Sequence, residues 1–218
     1  MQLFKFKSFD HDGLFHMLDM IVNERIYLST CDSMNDADEG SWKILEHHNK
    51  SKNPDKKYIQ KAKMLRDIID TQLYTCFVET INHPLMWAHY AGGFSGVAFA
   101  YDLDPSLYDI RKIDYLGTPI ISLDDIEKIL RGECLPQDVG ILKQKAGCWE
   151  YENEWRLFSH DNGCQYINKI KPNAVILGGR TIKYDDVFAK IVRSCGIPLG
   201  YMLATKEDHY EIQYTEEA

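Results

Sequence analysis

The chain has 218 residues and is 44% hydrophobic, near the globular norm, which excludes a disordered or low-complexity class. Acidic residues outnumber basic ones, 33 to 25, for a formal net charge of -8. That balance excludes a protein that coats nucleic acid nonspecifically, since such a protein needs a broad basic surface; a local basic patch stays open.

Residues 3–6 are short and aromatic and predict a first strand ending at Lys7-Ser8. Phe9 to Val22 follows as a helix, with Leu14, Leu18 and Ile21 on one face and Asp10 or Asp12 as its cap. Arg25 to Ser29 is a strand, and Asp32 to Gly40 a polar turn with Met34 tucked inward. Residues 41–72 predict two helices divided at Asn53-Pro54, a helical insertion at about 41–72 in a single domain, 1–218. In the second helix Lys56, Lys57, Lys61, Lys63 and Arg66 surround a stripe of Tyr58, Ala62, Leu65 and Ile69. A solvated surface face accounts for these cations, with an acidic or phosphate-bearing partner as the alternative.

Leu73 to Val78 is the next strand, and His83-Pro84 opens a short helix, Leu85 to Ala91, that stops at Gly92-Gly93. Strands at Gly96 to Tyr101 and Ile110 to Tyr115 precede helices at Asp124 to Leu130 and Asp138 to Lys145. Glu154 to Phe158, Gln165 to Ile170 and Ala174 to Leu177 are strands. A helix at Asp185 to Cys195 and strands at Leu199 to Ala204 and Tyr210 to Tyr214 complete the order. Without strict βαβ alternation, the expectation is an α+β fold: twisted, mostly antiparallel sheets with helices on the outer faces.

Cys31, Cys76, Cys134, Cys148, Cys164 and Cys195 are scattered without a C-x-x-C pair, so zinc-ribbon and thioredoxin motifs are absent. The first residues offer no signal-peptide core, and no apolar run nears the roughly 20 residues that span a bilayer. The expectation is six free thiols, a cytoplasmic location and no membrane partner. His47-His48, His11, His16, Asp32, Asp36 and Asp38 are available as metal ligands, but no H-E-x-x-H or H-x-H grouping appears, and no metal is expected.

Four landmarks stand in order along the chain: Leu3-Phe4-Lys5-Phe6-Lys7-Ser8; Ile26-Tyr27-Leu28-Ser29 with Met34-Asn35-Asp36; Cys76-Phe77 with Leu85-Met86-Trp87-Ala88-His89-Tyr90-Ala91 and Gly96-Val97; and Trp149-Glu150-Tyr151-Glu152-Asn153-Glu154-Trp155-Arg156-Leu157. Together they resemble, nearly end to end, the bacterial family catalogued as domain of unknown function 2971. The chain departs from it at Ala37-Asp38-Glu39, where the family often continues Asn-Asp-Pro-Phe-Glu.

Glu152-x-Glu154 running into a strand also resembles, more distantly, the paired-glutamate motif of ADP-ribosyltransferases. Lys5 or Lys7 on the first strand and Ser29-Thr30 on the second stand in similar places. The chain lacks the third-position Ser of the fuller motif, a clean Arg or His on the first strand, and any counterpart in the motif for about seventy residues before Gly96. The resemblance implies an enzyme that consumes NAD and modifies a protein or nucleic-acid acceptor, in a setting such as conflict between bacteria and phages. Glu154 would stabilise the oxocarbenium-like ribose and Glu152 would deprotonate the acceptor; residues two apart on a strand share a face, so both would address one ligand. Lys5, Lys7, Ser29, Asn35, Trp87, Tyr90, Tyr151 and Arg156 complete the nucleotide site, and His89 is a general acid or base or a phosphate ligand.

Each of these has a plainer account. The glutamates can be salt-bridged to Arg156 or a lysine, His89 can be a backbone-satisfied core residue, Trp87 and Met86 can be core, and Asn35-Asp36 can be an Asx turn. Cys76 or Cys148 with His89 is a further nucleophile option, and Gly178-Gly179-Arg180 matches no phosphate-loop pattern. The alternatives to a transferase are a noncatalytic nucleotide- or peptide-binding module and a nuclease or other hydrolase.

Overall fold

A computed structural model of the chain describes residues 1–45, 56–159, 164–180, 185–204 and 210–214. In chain order the elements are β1 (Gln2–Lys7), α1 (His11–Val22), β2 (Arg25–Tyr27), β3 (Lys43–Ile44), α2 (Lys56–Asp70), β4 (Tyr74–Val78), α3 (Pro84–Tyr90), β5 (Val97–Asp102) and β6 (Ile110–Lys112). β7 (Ile120–Ile121), α4 (Leu123–Leu130), β8 (Glu154–Phe158), β9 (Tyr166–Asn168), β10 (Ala174–Leu177), α5 (Asp185–Ser194), β11 (Leu199–Ala204) and β12 (Tyr210–Tyr214) follow. The helix starts obey local chemistry. Asp10 Oδ1 accepts from the Gly13 N–H at 2.7 Å to cap α1, and Ser122 with Asp125 forms a capping box on α4.

Eight strands form one mixed sheet in the order β12-β11-β10-β5-β1-β4-β8-β6. Every pairing in it is antiparallel except β10 with β11, which α5 connects as a crossover. Two short sheets, β2–β9 and β3–β7, stand beside it. The α+β, mostly antiparallel expectation therefore describes the chain. No helix among the described residues is long and apolar enough to cross a membrane.

The pleat sorts the core. Leu3, Phe77, Phe99, Val175 and Leu157 point to one face, under Met17 and Met20 of α1 and Phe188 and Val192 of α5. Phe4, Phe6, Val78, Ala98 and Ile176 point to the other, under Met86 and Trp87 of α3. A third cluster packs Leu65 and Ile69 of α2 and Ile126 and Ile129 of α4 against Tyr74 and Phe158. Part of the basic surface of α2 is engaged within the chain: Lys61 pairs with Glu127, and the Arg66 guanidinium lies 4.4 Å from the centre of the Trp42 ring.

Three expected elements differ. Residues 138–145 are not a helix: a 3-10 turn at Pro136–Val139 ends on Gly140 at φ 92°, and Leu142 at φ 60° turns the chain again. Residues 43 and 44, expected in a helix, form β3 and pair with Ile120 and Ile121. Asn53-Pro54 and His47-His48 lie outside the described residues. Glu152 is not on a strand either. It closes the 3-10 turn Gly147–Glu152, and Asn153 at φ 44° reverses direction before β8 begins at Glu154.

Candidate functional site

β1 and β4 are neighbours in the middle of the sheet, yet they meet at a single register pair, Phe4 with Val78. On its outer side β1 pairs with β5 along its whole length, from Gln2–Asp102 to Lys7–Val97. β4 likewise pairs with β8 from Tyr74–Phe158 to Val78–Glu154. The sheet is thus open between the second half of β1 and the first half of β4. Ser29, just past β2, fills the far end by exchanging backbone hydrogen bonds with Tyr74, both at 3.0 Å. Between these two fastenings lies Cys76. Alternation along β4 turns its backbone N–H and C=O into the opening, and the carbonyl accepts from Lys5 Nζ at 3.1 Å.

A cavity of about 340 Å³ occupies this opening. Register puts Lys5 and Lys7 on one face of the sheet and Ser29, Cys76 and Glu154 on the other; they share a cavity only because the strands part. Lys5, Lys7, His16 and Tyr27 line one wall, with the His16 and Tyr27 rings stacked at 4.7 Å. Lys145, Glu152, Glu154, Tyr90 and Met86 line the other, and Ser33, Met34 and Asn35 close the end.

The acidic wall is a connected ion network. Lys145 Nζ lies 3.0 Å from Glu152 Oε2 and 2.5 Å from Glu154 Oε2. Arg156 Nε donates to Glu154 Oε1 at 2.7 Å, and its two terminal nitrogens grip Glu39 at 2.6 and 2.7 Å in a bidentate pair. The Tyr90 hydroxyl donates to Glu152 Oε1 at 2.5 Å. Glu154 is 1% exposed and Glu152 2%. Burial alone would hold Glu154 protonated, but Arg156 and Lys145 outweigh it and keep the carboxyl well below the usual range. Burial likewise disfavours the Lys145 ammonium, and Glu154 and Glu152 reverse that and raise its pKa. Burial, then the bond to Glu152, pushes the Tyr90 phenol up.

The basic wall is the converse. Lys5 is buried and donates to Thr75 Oγ1 at 2.5 Å as well as to Cys76 O. Burial, and then Lys7 two residues on, lowers its pKa to about 7. Burial also lowers Lys7.

The cavity therefore gathers Lys5, Lys7, Ser29, Asn35, Tyr90, Glu152 and Glu154. His89 and Tyr151 lie instead in an adjoining groove of about 290 Å³ with Cys148 and Trp149, joined to the cavity through Asn35 and Tyr90. His89 is exposed, whereas Cys76 lines the cavity alone, so the two are not gathered in one pocket. Burial also pushes the Cys76 thiol up, away from a thiolate. Two expected ligand-binding residues are placed elsewhere. Trp87 is fully buried under the sheet, its indole N–H donating to the Ile81 carbonyl at 2.7 Å, because it anchors α3 in the core. Arg156 is fully buried too, and its donors are taken by Glu39, Glu154 and the Leu142 carbonyl.

Asp36 accepts from the Asp38 N–H at 3.0 Å, an Asx turn that presents Asn35. Gly178 and Arg180 donate backbone N–H groups to Gly96 and Phe94 at 2.9 Å, a tight turn that clasps the start of β5. Cys31, Asp32 and Asp70 bring one ligand atom each within 4.8 Å, an arrangement that acidic surfaces commonly show. Sequence reasoning missed Lys145, Glu39, Thr75 and Tyr27. Each is an ordinary residue in a turn or strand that only tertiary pairing brings to the site. No family model, no curated protein and no solved structure matches the chain.

Proposed function

We propose that the opening in the sheet is a nucleotide site and that the chain is an ADP-ribosyltransferase-like enzyme, consuming NAD to modify a protein or nucleic-acid acceptor. The observation that carries this reading is the convergence of first-strand lysines, Ser29 and the Glu152/Glu154 pair on one cavity. Lys7 supplies positive charge for a diphosphate, and Tyr27 and Tyr90 supply faces for a flat ring. Glu154 stays ionised at neutral pH and is rigidly held, which suits a fixed negative charge against an oxocarbenium-like ribose and not a proton carrier. Glu152, bonded to Tyr90 on the groove side, is then the group left to take the acceptor's proton, and the His89–Trp149–Tyr151 groove is where the acceptor enters. The landmark blocks that resemble the family of unknown function 2971 contribute Met34, Asn35, Cys76, Phe77, Met86, Tyr90, Glu152 and Glu154 to these walls.

One observation favours a second reading, a noncatalytic nucleotide-binding module: the charge of Glu154 is already matched by Arg156 and Lys145. Calorimetry of NAD binding together with nicotinamide release separates the two. The enzyme reading expects release by the wild type, a loss of about a hundredfold in Glu154→Gln, roughly 3 kcal/mol of electrostatic stabilisation, and release without transfer in Glu152→Gln. Binding with background release supports the module. Neither binding nor release overturns both.

A further inference from the structure

Lys5 is nearly buried, yet among the described residues it makes no ion pair with a carboxylate. Its nitrogen has two acceptors, Thr75 Oγ1 and the Cys76 carbonyl. An ammonium carries three N–H groups, whereas an amine carries two and a lone pair, so two acceptors satisfy the neutral form and leave a lone pair for the cavity. Among the charged and titratable neighbours Lys7 acts in the same direction as burial, while Cys76 and Glu154 act more weakly against it. Lys7 follows on the same strand and His16 faces it from α1. On β4 the buried Cys76 thiol stays protonated, and on β8 the Glu154 charge is taken up by Arg156 and Lys145. Glu152 and Lys145 on the far wall are paired with each other. Burial and a neighbouring cation are the two means by which proteins turn a lysine into a nucleophile at neutral pH.

We propose that Lys5 is a reactive amine, and that the cavity takes a small anionic aldehyde or ketone which condenses with it to an imine. The lone pair adds to the carbonyl carbon and forms the C–N bond. The two amine protons pass to the carbonyl oxygen, which leaves as water, and a C=N bond remains. Lys7, on the same face two residues away, supplies the counter-charge for a carboxylate or phosphate on the substrate. The proposal uses the same cavity as the NAD reading but does not rest on it, since neither the amine nor its test involves a dinucleotide.

Glyoxylate with cyanoborohydride tests it: the hydride reduces the imine, leaving carboxymethyl-lysine that peptide mapping locates. The α-amine of Met1 shares the N-terminal peptide and is distinguished by fragmentation. Lys5 is expected to react with a half-maximum near pH 7 and, at that pH, about a thousandfold faster than an exposed lysine of ordinary value, near 10.4. Acetaldehyde, which lacks the negative charge, is expected to react more slowly, and Lys7→Met to erase the difference. A Lys5→Arg variant should lose the modification at this position alone; should it fail to fold, the wild-type pH profile still decides. An unmodified Lys5, or one that reacts only in step with exposed lysines as pH rises, overturns the proposal. Equal rates for the two aldehydes overturn the anionic class.

Discussion

Lys5 reaches across the opening in the sheet to the Cys76 carbonyl, a 3.1 Å side-chain bond where the backbones of β1 and β4 make none. The lysine is at once a structural bridge and a titratable group whose folded pKa, about 7, lies below its unfolded value near 10.4. Between these two values the unfolded chain binds the extra proton and the folded chain does not, so stability rises with pH across that window and is level below it. Urea denaturation of wild type and Lys5→Met should show this directly. The wild type gains on the variant from about pH 7 to about pH 10. A difference that does not vary with pH would contradict the depressed amine.

Glu154→Gln leaves Arg156 with Glu39 alone and removes one of the two carboxylates on Lys145, all of them buried. Breaking one partner out of such a network destabilises by about 3–5 kcal/mol. A large fall in melting temperature is expected, so the activity of this variant has to be measured well below its midpoint. In the wild type, the stability that Glu154 contributes is present above the ordinary carboxylate range and is lost as pH falls toward about 2. An unchanged melting temperature in Glu154→Gln would show that the network adds little.

All six cysteines are unpaired. Titration of denatured, unreduced protein should therefore find six thiols. In the native state Cys148 and Cys164, both exposed, should react first, while Cys31, raised to about 11 chiefly by burial, and the buried-side Cys76 wait for unfolding. Recovery of two or fewer thiols would reveal disulfides.

Much of the sheet was legible because its strands carry their own signal. Glu154–Phe158, Ala174–Leu177, Leu199–Ala204 and Tyr210–Tyr214 begin and end where their residue types predict. α1 was legible as a helix, and of its two candidate caps Asp10 is the one used, but Met17 and Met20 join Ile21 in the buried stripe where Leu14 and Leu18 were expected. The segment after Pro136 misled because its composition suits a helix, whereas the left-handed Gly140 and Leu142 are needed to bring Lys145 back to the glutamates. β3 and β7 are two residues each and exist only through their mutual pairing, which no local pattern encodes. For the site, Glu152 and Glu154 were read as strand neighbours sharing a face. They meet at Lys145 by a different route, across the left-handed Asn153. Arg156 was expected at the ligand because it follows the motif; Glu39, 117 positions away in sequence, is what claims it.

The opening in the sheet divides β12-β11-β10-β5-β1 from β4-β8-β6. Neither side is a continuous stretch of chain. The polypeptide leaves the first side after β1, returns to it with β5, leaves again for β6 and β8, and comes back with β10. The two parts are laced together like a boot, fastened by covalent crossings where the hydrogen-bonded seam is almost absent. Parting the seam would break few backbone hydrogen bonds and leave both parts covalently joined, and no single cut in the chain yields a fragment that contains one whole side and nothing of the other.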